Sequence, residues 1–252
     1  MRRPSKTSLS IALQQASWIR LLVAFGLLVI SVASPAETLL TPHRAEYKVS
    51  VSVFTGQLNT ELRTTPGGYV ATHAIKTTGM SRMLASGNIT ETSMFAPQPE
   101  GIRPRTFQSN DTLTRDKNRA EIQFDWASGE ATGTVNGEAF ASSMDAVAYD
   151  RVSIQYELMS DLMNGTTGAE YVLFDIDELK TITVQNIGTR IVSVPAGKYE
   201  AIGVRHQAPG SKRVTTMWCV RELNYLPVIV EQHRNGKLRM RAELRSYSPL
   251  PT

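Results

Sequence analysis

The sequence has a single cysteine, Cys219, among its 252 residues. One cysteine excludes an intramolecular disulfide, so the fold has to be stabilised by a hydrophobic core. Hydrophobic residues make up 41% of the chain and charged residues 20%, which is ordinary for a globular protein and excludes a fibrous or disordered one. The chain is long enough to bury a core without covalent cross-links.

Most of the chain has no net charge, because the excess of basic residues lies at the N-terminus. The formal net charge of +4 suggests nucleic acid or an anionic surface as a partner. However, residues 1–36 contain four of the 27 basic residues and no acidic residue, which leaves 23 basic and 23 acidic side chains in the remainder. These charges alternate in sign along the chain, so we predict that the protein does not bind nucleic acid.

The N-terminal segment resembles a secretory signal peptide. Basic residues precede a 13-residue apolar stretch from Leu21 to Ala33, and small residues follow. A membrane-spanning helix needs about 20 apolar residues, and Arg20 interrupts any extension towards the N-terminus. We expect cleavage after Ala36, general secretory export and a periplasmic protein without a membrane span. The alternative is an uncleaved anchor.

Beyond residue 36 the dominant pattern is an alternation with period two, which is typical of half-buried strands. It begins at Ala45, Tyr47 and Val49 and returns in many later segments. Asn136-Gly137 and Asn235-Gly236 are residue pairs preferred in two-residue type I′ hairpin turns, because both positions need a positive φ. Short connections of this kind predict antiparallel neighbours.

One segment has helical spacing instead. Its apolar residues recur every three or four positions, with Asp145 as the predicted N-cap and Asn164-Gly165 as the end; they are Ala148, Val152, Tyr156, Met159 and Met163. We therefore predict a mainly β fold over residues 37–252. It consists of an antiparallel curved sheet or partly open β-barrel of about ten or more strands, with one amphipathic helix and no boundary between domains.

From about Tyr47 onwards, the order of features resembles the DUF3108 family of exported bacterial proteins without an assigned function. The resemblance is carried mainly by C-terminal blocks, namely 150–156 (DRVSIQY), 194–199 (VPAGKY), Trp218, 223–228 (LNYLPV) and the hairpin at Asn235-Gly236. It implies a β-rich periplasmic domain, and it brings no catalytic residue to transfer.

Motifs of enzymatic chemistry are absent. The sequence has no Gly-x-Ser-x-Gly nucleophile motif and no glycine-rich phosphate loop, and Cys219 lies in an apolar strand where a thiol stays protonated. The four histidines are His43, His73, His206 and His233, and their spacing is not that of a local metal motif. We predict no catalytic residue, no metal and no cofactor.

Carboxylates provide the alternative. Asp175-Ile-Asp-Glu178 is the densest acidic cluster and is interpreted as a solvated turn, although its oxygens would suit a divalent cation. A hydrolase acting on an envelope polymer would need two carboxylates that only the fold brings together, such as Asp125, Asp175 or Glu231.

Aromatic and methionine side chains are the candidate ligand-binding residues. A curved sheet is able to enclose an apolar cavity, and the weakly periodic region 79–99 is interpreted as an apolar loop over it. The predicted lining comprises Trp126, Trp218, Tyr225, Met80, Met83 and Phe95. The alternative is that these side chains simply complete the core.

Three functions are consistent with these sequence features. The first is a non-enzymatic binding or envelope-assembly protein that holds a lipid, a glycolipid or another apolar ligand. The second is the hydrolase with paired carboxylates. The third is a scaffold that binds envelope proteins through an exposed strand edge.

Overall fold

A computed structural model describes residues 40–99, 101–114, 118–166, 170–176 and 178–251. The predicted signal peptide and its cleavage position lie outside these ranges. Within them, no helix combines the length and the apolar character needed to cross a membrane.

All the strands belong to one curved sheet of 15 strands, which confirms the predicted fold class. The strands are β1 His43–Val51, β2 Phe54–Thr65, β3 Gly68–Thr77, β4 Asn88–Gln98, β5 Gly101–Asp111, β6 Arg119–Asp125, β7 Glu130–Val135, β8 Glu138–Ser143, β9 Ala148–Asp150, β10 Glu170–Asp175, β11 Glu178–Val194, β12 Gly197–Gln207, β13 Arg213–Val220, β14 Leu226–Arg234 and β15 Lys237–Pro249. Two helices, α1 Ser81–Leu84 and α2 Ser153–Met163, and a 3₁₀ turn at Arg221–Leu223 complete the structure.

The sheet is continuous but not closed. Its strand order runs from β8 back to β1, then through β15 down to β9, so β8 and β9 are its two edges. Neighbours are antiparallel except β9 and β10, which are parallel. The edge strands contain six and three residues. Short edges of this kind limit pairing with other chains, and neither edge is the long strand that a scaffold would need.

Both Asn-Gly turns have the predicted backbone. Asn136 and Gly137 have φ values of 53° and 88°, and Asn235 and Gly236 have 52° and 71°. Each pair joins two antiparallel strands in register, β7 to β8 and β14 to β15. The positive φ values explain why this residue pair stands at these positions.

Helix α2 is shorter than predicted, and Asp150 rather than Asp145 caps it. The Asp150 carboxylate accepts the N–H groups of Val152 and Ser153, both at 2.8 Å, and the hydroxyl of Ser93 on β4 at 2.6 Å. Ala148, predicted on the helix, belongs to strand β9. An apolar residue two before Asp150 suits a strand as well as a helix, so spacing alone did not locate the start.

Region 79–99 is mostly strand and not a loop. Only α1 and its flanking residues connect β3 to β4, because β4 already begins at Asn88. Strand β5 follows directly and was not predicted, since Pro104 and its charged neighbours obscure the alternation. The connection is fixed to β2, where the N–H of Thr55 donates to the Ser81 hydroxyl at 2.9 Å.

The core lies between the inner face of the curled sheet and helix α2. Tyr156 and Val152 on the α2 segment are fully buried, and Tyr156 packs against Phe95 of β4 with ring centroids 5.4 Å apart. Two hydrogen bonds hold the two halves of the sheet towards each other. The Ser93 hydroxyl on β4 donates to the Asp150 carboxylate, and the Glu157 carboxylate on α2 accepts the N–H of Ile102 on β5 at 2.8 Å.

Candidate functional site

An apolar groove of about 680 Å³ lies on the inner face of the sheet. Strand register builds its wall, because Met217 on β13 is opposite Val230, which is opposite Ala242, which is opposite Val49 on β1. Directly paired residues point to the same face of a sheet, so these side chains form one continuous apolar row. On the other side of the groove stand Ile154 and Leu158 of α2, and the rest of its apolar lining includes Leu58, Ile75, Ile89 and Met240.

A second cavity of about 870 Å³, here called the polar cavity, adjoins the groove. The two cavities share five lining residues, Arg151, Ile154, His206, Thr215 and Gln232. The walls of the polar cavity also carry Lys180, Lys212, Arg213 and Arg234 against two acidic residues, Asp175 and Glu178. The structure thus joins an apolar space to a polar one that is rich in basic side chains.

An ion-pair network lies where the two cavities meet. The Arg151 guanidinium pairs with Glu91 of β4 and lies 3.6 Å from the Asp175 carboxylate of β10. Lys180 Nζ then pairs with Asp175 at 2.9 Å and with Glu178 at 3.0 Å. Burial raises the pKa of Glu91, and the Arg151 charge opposes that rise. The network connects strands from both halves of the curled sheet.

Two partly buried histidines face the cavities. Burial lowers the pKa of His206, which lines both cavities, to about 4. Burial, together with the neighbouring His43, lowers the pKa of His73 in the groove to about 4 as well. Both rings are therefore neutral at neutral pH, and each offers one donor and one acceptor.

Beside the groove residue His73, three buried polar atoms have no hydrogen-bond partner within the described part of the chain. They are Nε2 of His43, Nε2 of His73 and the hydroxyl of Tyr156. The Tyr156 ring centroid lies 6.3 Å from that of His43 and 6.2 Å from that of His73. Of these three, the groove lining includes His73. Sequence spacing alone did not indicate that the two histidines would lie beside one aromatic ring.

The six predicted lining residues lie outside the groove. Met80, immediately before α1, is 81% exposed, and Met83, within α1, is 84% exposed. The groove residue Ala85 follows the helix. Phe95 points into the core, 1% exposed, between Tyr69 and Tyr156. These three positions share one sequence region but occupy different surroundings, so the predicted apolar cover over the groove is not formed by them together.

The remaining three aromatic residues are engaged elsewhere. Trp126 stacks on Phe124 at 6.0 Å and donates its indole N–H to the Pro104 carbonyl. Trp218 follows the groove residue Met217 and points to the opposite face of β13, where the Arg190 guanidinium lies 3.7 Å from its ring centroid.

Tyr225 is the sixth predicted lining residue, and it is buried where the 3₁₀ turn meets β14. Its N–H donates to the Val220 carbonyl at 2.8 Å, and the Arg221 guanidinium lies 5.6 Å from its ring centroid. Tyr225 therefore packs at the opposite end of these strands from the polar cavity.

The three candidate carboxylates are not brought together. Asp125 ends β6 and accepts the N–H of Ala127 at 2.9 Å, which lowers its pKa. Asp175 belongs to the ion-pair network. Glu231 pairs with Arg241, and it points away from the groove because its neighbour Val230 on β14 points into it. Asp177 lies outside the described residues. Within those residues, no group of three or more His, Cys, Asp or Glu side chains is arranged to hold a metal ion.

Comparison with known proteins identifies a family that covers most of the chain. The model of the family described as protein of unknown function (DUF3108) matches residues 44–243. No curated protein matches the chain.

A solved structure with a TM-score above 0.5 shares the fold at low identity. A β-barrel-like protein of the DUF1849 domain of unknown function from Brucella abortus is 14% identical, with a TM-score of 0.57 over 84% of this chain and 99% of its own. A structure from Bacteroides fragilis, provisionally described as an exported protein with a YmcC-like fold, is 12% identical over 83% of this chain and 96% of its own, with a TM-score of 0.36.

Proposed function

The chain belongs to the DUF3108 family, which has no assigned function, and from its geometry we propose that it is a non-enzymatic binding protein of the cell envelope. Its ligand is an amphiphile, a lipid or a glycolipid. The apolar part occupies the groove and the polar head occupies the polar cavity. The supporting observation is the direct junction of the two cavities, which share five lining residues.

The dimensions and chemistry of the cavities support this proposal. Ligand sites in proteins usually measure about 300 to 1,000 Å³ and combine apolar walls with a few polar groups that orient the ligand. The groove lies in this range and has aliphatic walls. The neutral rings of His73 and His206 add hydrogen-bonding groups without the cost of burying a charge.

The polar cavity supports a ligand head with anionic or hydroxyl groups. Arg213 and Arg234 occupy directly opposed positions on β13 and β14, and both line this cavity. Like charges in opposed positions destabilise a sheet, so this pair calls for an explanation outside the fold. A phosphate or carboxylate group between the two guanidinium groups would remove that repulsion.

Envelope localisation is part of the proposal. The N-terminal pattern of a signal peptide, with cleavage after Ala36, supports export to the periplasm. In that compartment a carrier that shields an apolar molecule in its groove would move that molecule through water, which the molecule does not cross unassisted.

The test is native mass spectrometry, with lipid extraction, on the protein purified from its own host. We expect a co-purifying lipid or glycolipid in the natural protein and its loss in Val230→Phe, because the added ring occupies the groove. Ile191→Phe is the matched control, since Ile191 is 56% exposed on β11 and lines neither cavity. A protein that is empty in all three forms, or a lipid that Val230→Phe retains, would contradict the proposal.

A further inference from the structure

Exposed apolar side chains gather at one end of the sheet. Among the described residues, nine large apolar side chains are exposed, and seven of them lie at this end, namely Val51, Val53, Phe54, Met80, Met83, Leu84 and Leu238. Met80, Met83 and Val53 are the three most exposed, each above 80%. Exposed apolar groups that cluster in this way mark interaction surfaces, whereas scattered ones do not.

Strand register brings these residues to the same end. Val51 is opposite Phe54 on β2 and opposite Met240 on β15, so Leu238 stands two residues further along, towards the β1–β2 turn. The N–H of Thr78 donates to the Thr55 carbonyl at 3.0 Å and fixes the α1 connection beside the same turn. Val51 and Phe54 also line the groove, so this apolar surface is continuous with the groove opening.

Basic side chains lie on the strands and connections to both sides of the apolar ones. The segments 51–55, 76–84, 212–213 and 234–239, here called the rim, contain seven basic residues and no acidic residue. All seven are exposed, and none pairs with a carboxylate among the described residues; they are Lys76, Arg82, Lys212, Arg213, Arg234, Lys237 and Arg239. Asp175 and Glu178, which also lie at this end, both pair with Lys180.

We propose that the rim docks on the surface of a lipid bilayer that contains anionic phospholipid. Exposed apolar side chains next to exposed lysine and arginine side chains suit the bilayer interface, where the apolar side chains enter the acyl boundary and the basic ones contact phosphate groups. A protein partner would have to match seven positive charges around an apolar centre, whereas an anionic bilayer offers both features anywhere on its surface. Docking by the rim turns the groove opening towards the membrane.

Docking does not require a ligand in the groove, but the rim shares residues with both cavities. Val51, Phe54 and Lys76 also line the groove, and Lys212, Arg213 and Arg234 also line the polar cavity. The test variants therefore alter rim residues that line neither cavity. Lipid retention in the groove is read by native mass spectrometry, and docking is read separately by vesicle flotation, so each proposal is able to fail alone.

The experiment is flotation of the protein purified from its host, after intact mass has established its N-terminus. Vesicles of phosphatidylethanolamine with phosphatidylglycerol are compared with vesicles of phosphatidylcholine alone. We expect flotation with the anionic vesicles, weakened by added salt. The triple variant Met80→Ser, Met83→Ser, Leu84→Ser should reduce the partition coefficient about tenfold or more.

A second variant tests the charges. Arg82→Gln, Lys237→Gln and Arg239→Gln together, at rim positions that line neither cavity, should reduce binding to the anionic vesicles about tenfold or more and leave any binding to phosphatidylcholine unaltered. Ile191→Ser and Lys198→Gln, which lie outside the rim, are the matched controls and should float like the natural protein. Thermal unfolding confirms that each variant is folded.

Several results would overturn the proposal. One is the absence of flotation with either vesicle. Another is flotation that the serine variant and the glutamine variant retain. A third is a concentration-dependent dimer in gel filtration that the serine variant abolishes while no form floats, because the apolar rim would then bind a second copy of the chain.

Discussion

Acid should destabilise this protein through two histidines that face its cavities. The pKa of His73 and that of His206 are lowered from 6.5 to about 4 in the folded state. A group with a lowered folded pKa stabilises the fold while its ring is neutral in both states. The stabilisation begins to disappear as the pH falls below the unfolded pKa near 6.5, and it is gone below the folded pKa near 4.

The magnitude follows from the two pKa values. At about pH 5 an unfolded ring is almost fully protonated, whereas about nine in ten folded rings stay neutral. Each histidine therefore lowers the free energy of unfolding by up to about 2 kcal/mol relative to its value at about pH 7.5. Partial solvent contact reduces this to about 1.5 kcal/mol per ring. Together they should remove about 3 kcal/mol, a large share of the stability of an ordinary domain.

Urea unfolding at a series of pH values measures the effect. The loss between pH 7.5 and pH 5 should be about 1.5 kcal/mol smaller in His73→Gln and in His206→Gln than in the natural protein. Titrating groups that do not interact with the replaced ring cancel in that difference. His233→Gln on β14, which lines neither cavity, is the control. If both cavity variants lose as much stability as the natural protein and the control, the assignment of the acid loss to these rings is refuted.

Two further substitutions test the fold itself. Asp150→Ala should lower the free energy of unfolding by about 3 kcal/mol, because it leaves the buried N–H groups of Val152 and Ser153 without their acceptor; Ser93→Ala, measured by the same urea titration, should cost only about 1 kcal/mol, and equal costs would contradict the capping role. Gly133→Ala should destabilise by more than about 2 kcal/mol, since a Cβ there would lie 1.9 Å from the Glu121 carbonyl oxygen; a variant with an unaltered urea midpoint would show that β6 and β7 are able to separate.

Local chemistry predicted the turns and much of the sheet. Asn136-Gly137 and Asn235-Gly236 were identifiable because positive φ at two successive positions restricts the residue choice. Strand β1 was identifiable too, because Ala45, Tyr47 and Val49 lie on its buried face and alternate with more exposed residues. The start of α2 was not identifiable from the sequence. The three residues of strand β9 come immediately before the helix, and their apolar spacing fits a strand as well as a helix.

The groove was not predictable for a different reason. Period two shows which side chains share a face, but it does not show whether that face meets another layer or an opening. Met217 lines the groove and its neighbour Trp218 packs on the other face, although the aromatic residue was the more conspicuous of the two. In the same way, the basic residues of the rim come from segments far apart in sequence, and the sequence alone does not show that the fold brings these segments to one end of the sheet.

The open sheet has a mechanical consequence. The circumference of a closed barrel is determined by its strand number and shear, whereas an unclosed sheet has no such constraint. Here the seam is bridged by side chains, with Glu91 on Arg151, Ser93 on Asp150 and the backbone of Ile102 on Glu157. Widening the interior therefore requires these three carboxylate contacts to separate, together with the packing of Phe174 of β10 on Phe124 and Phe140, but it requires no backbone ladder between neighbouring strands to break.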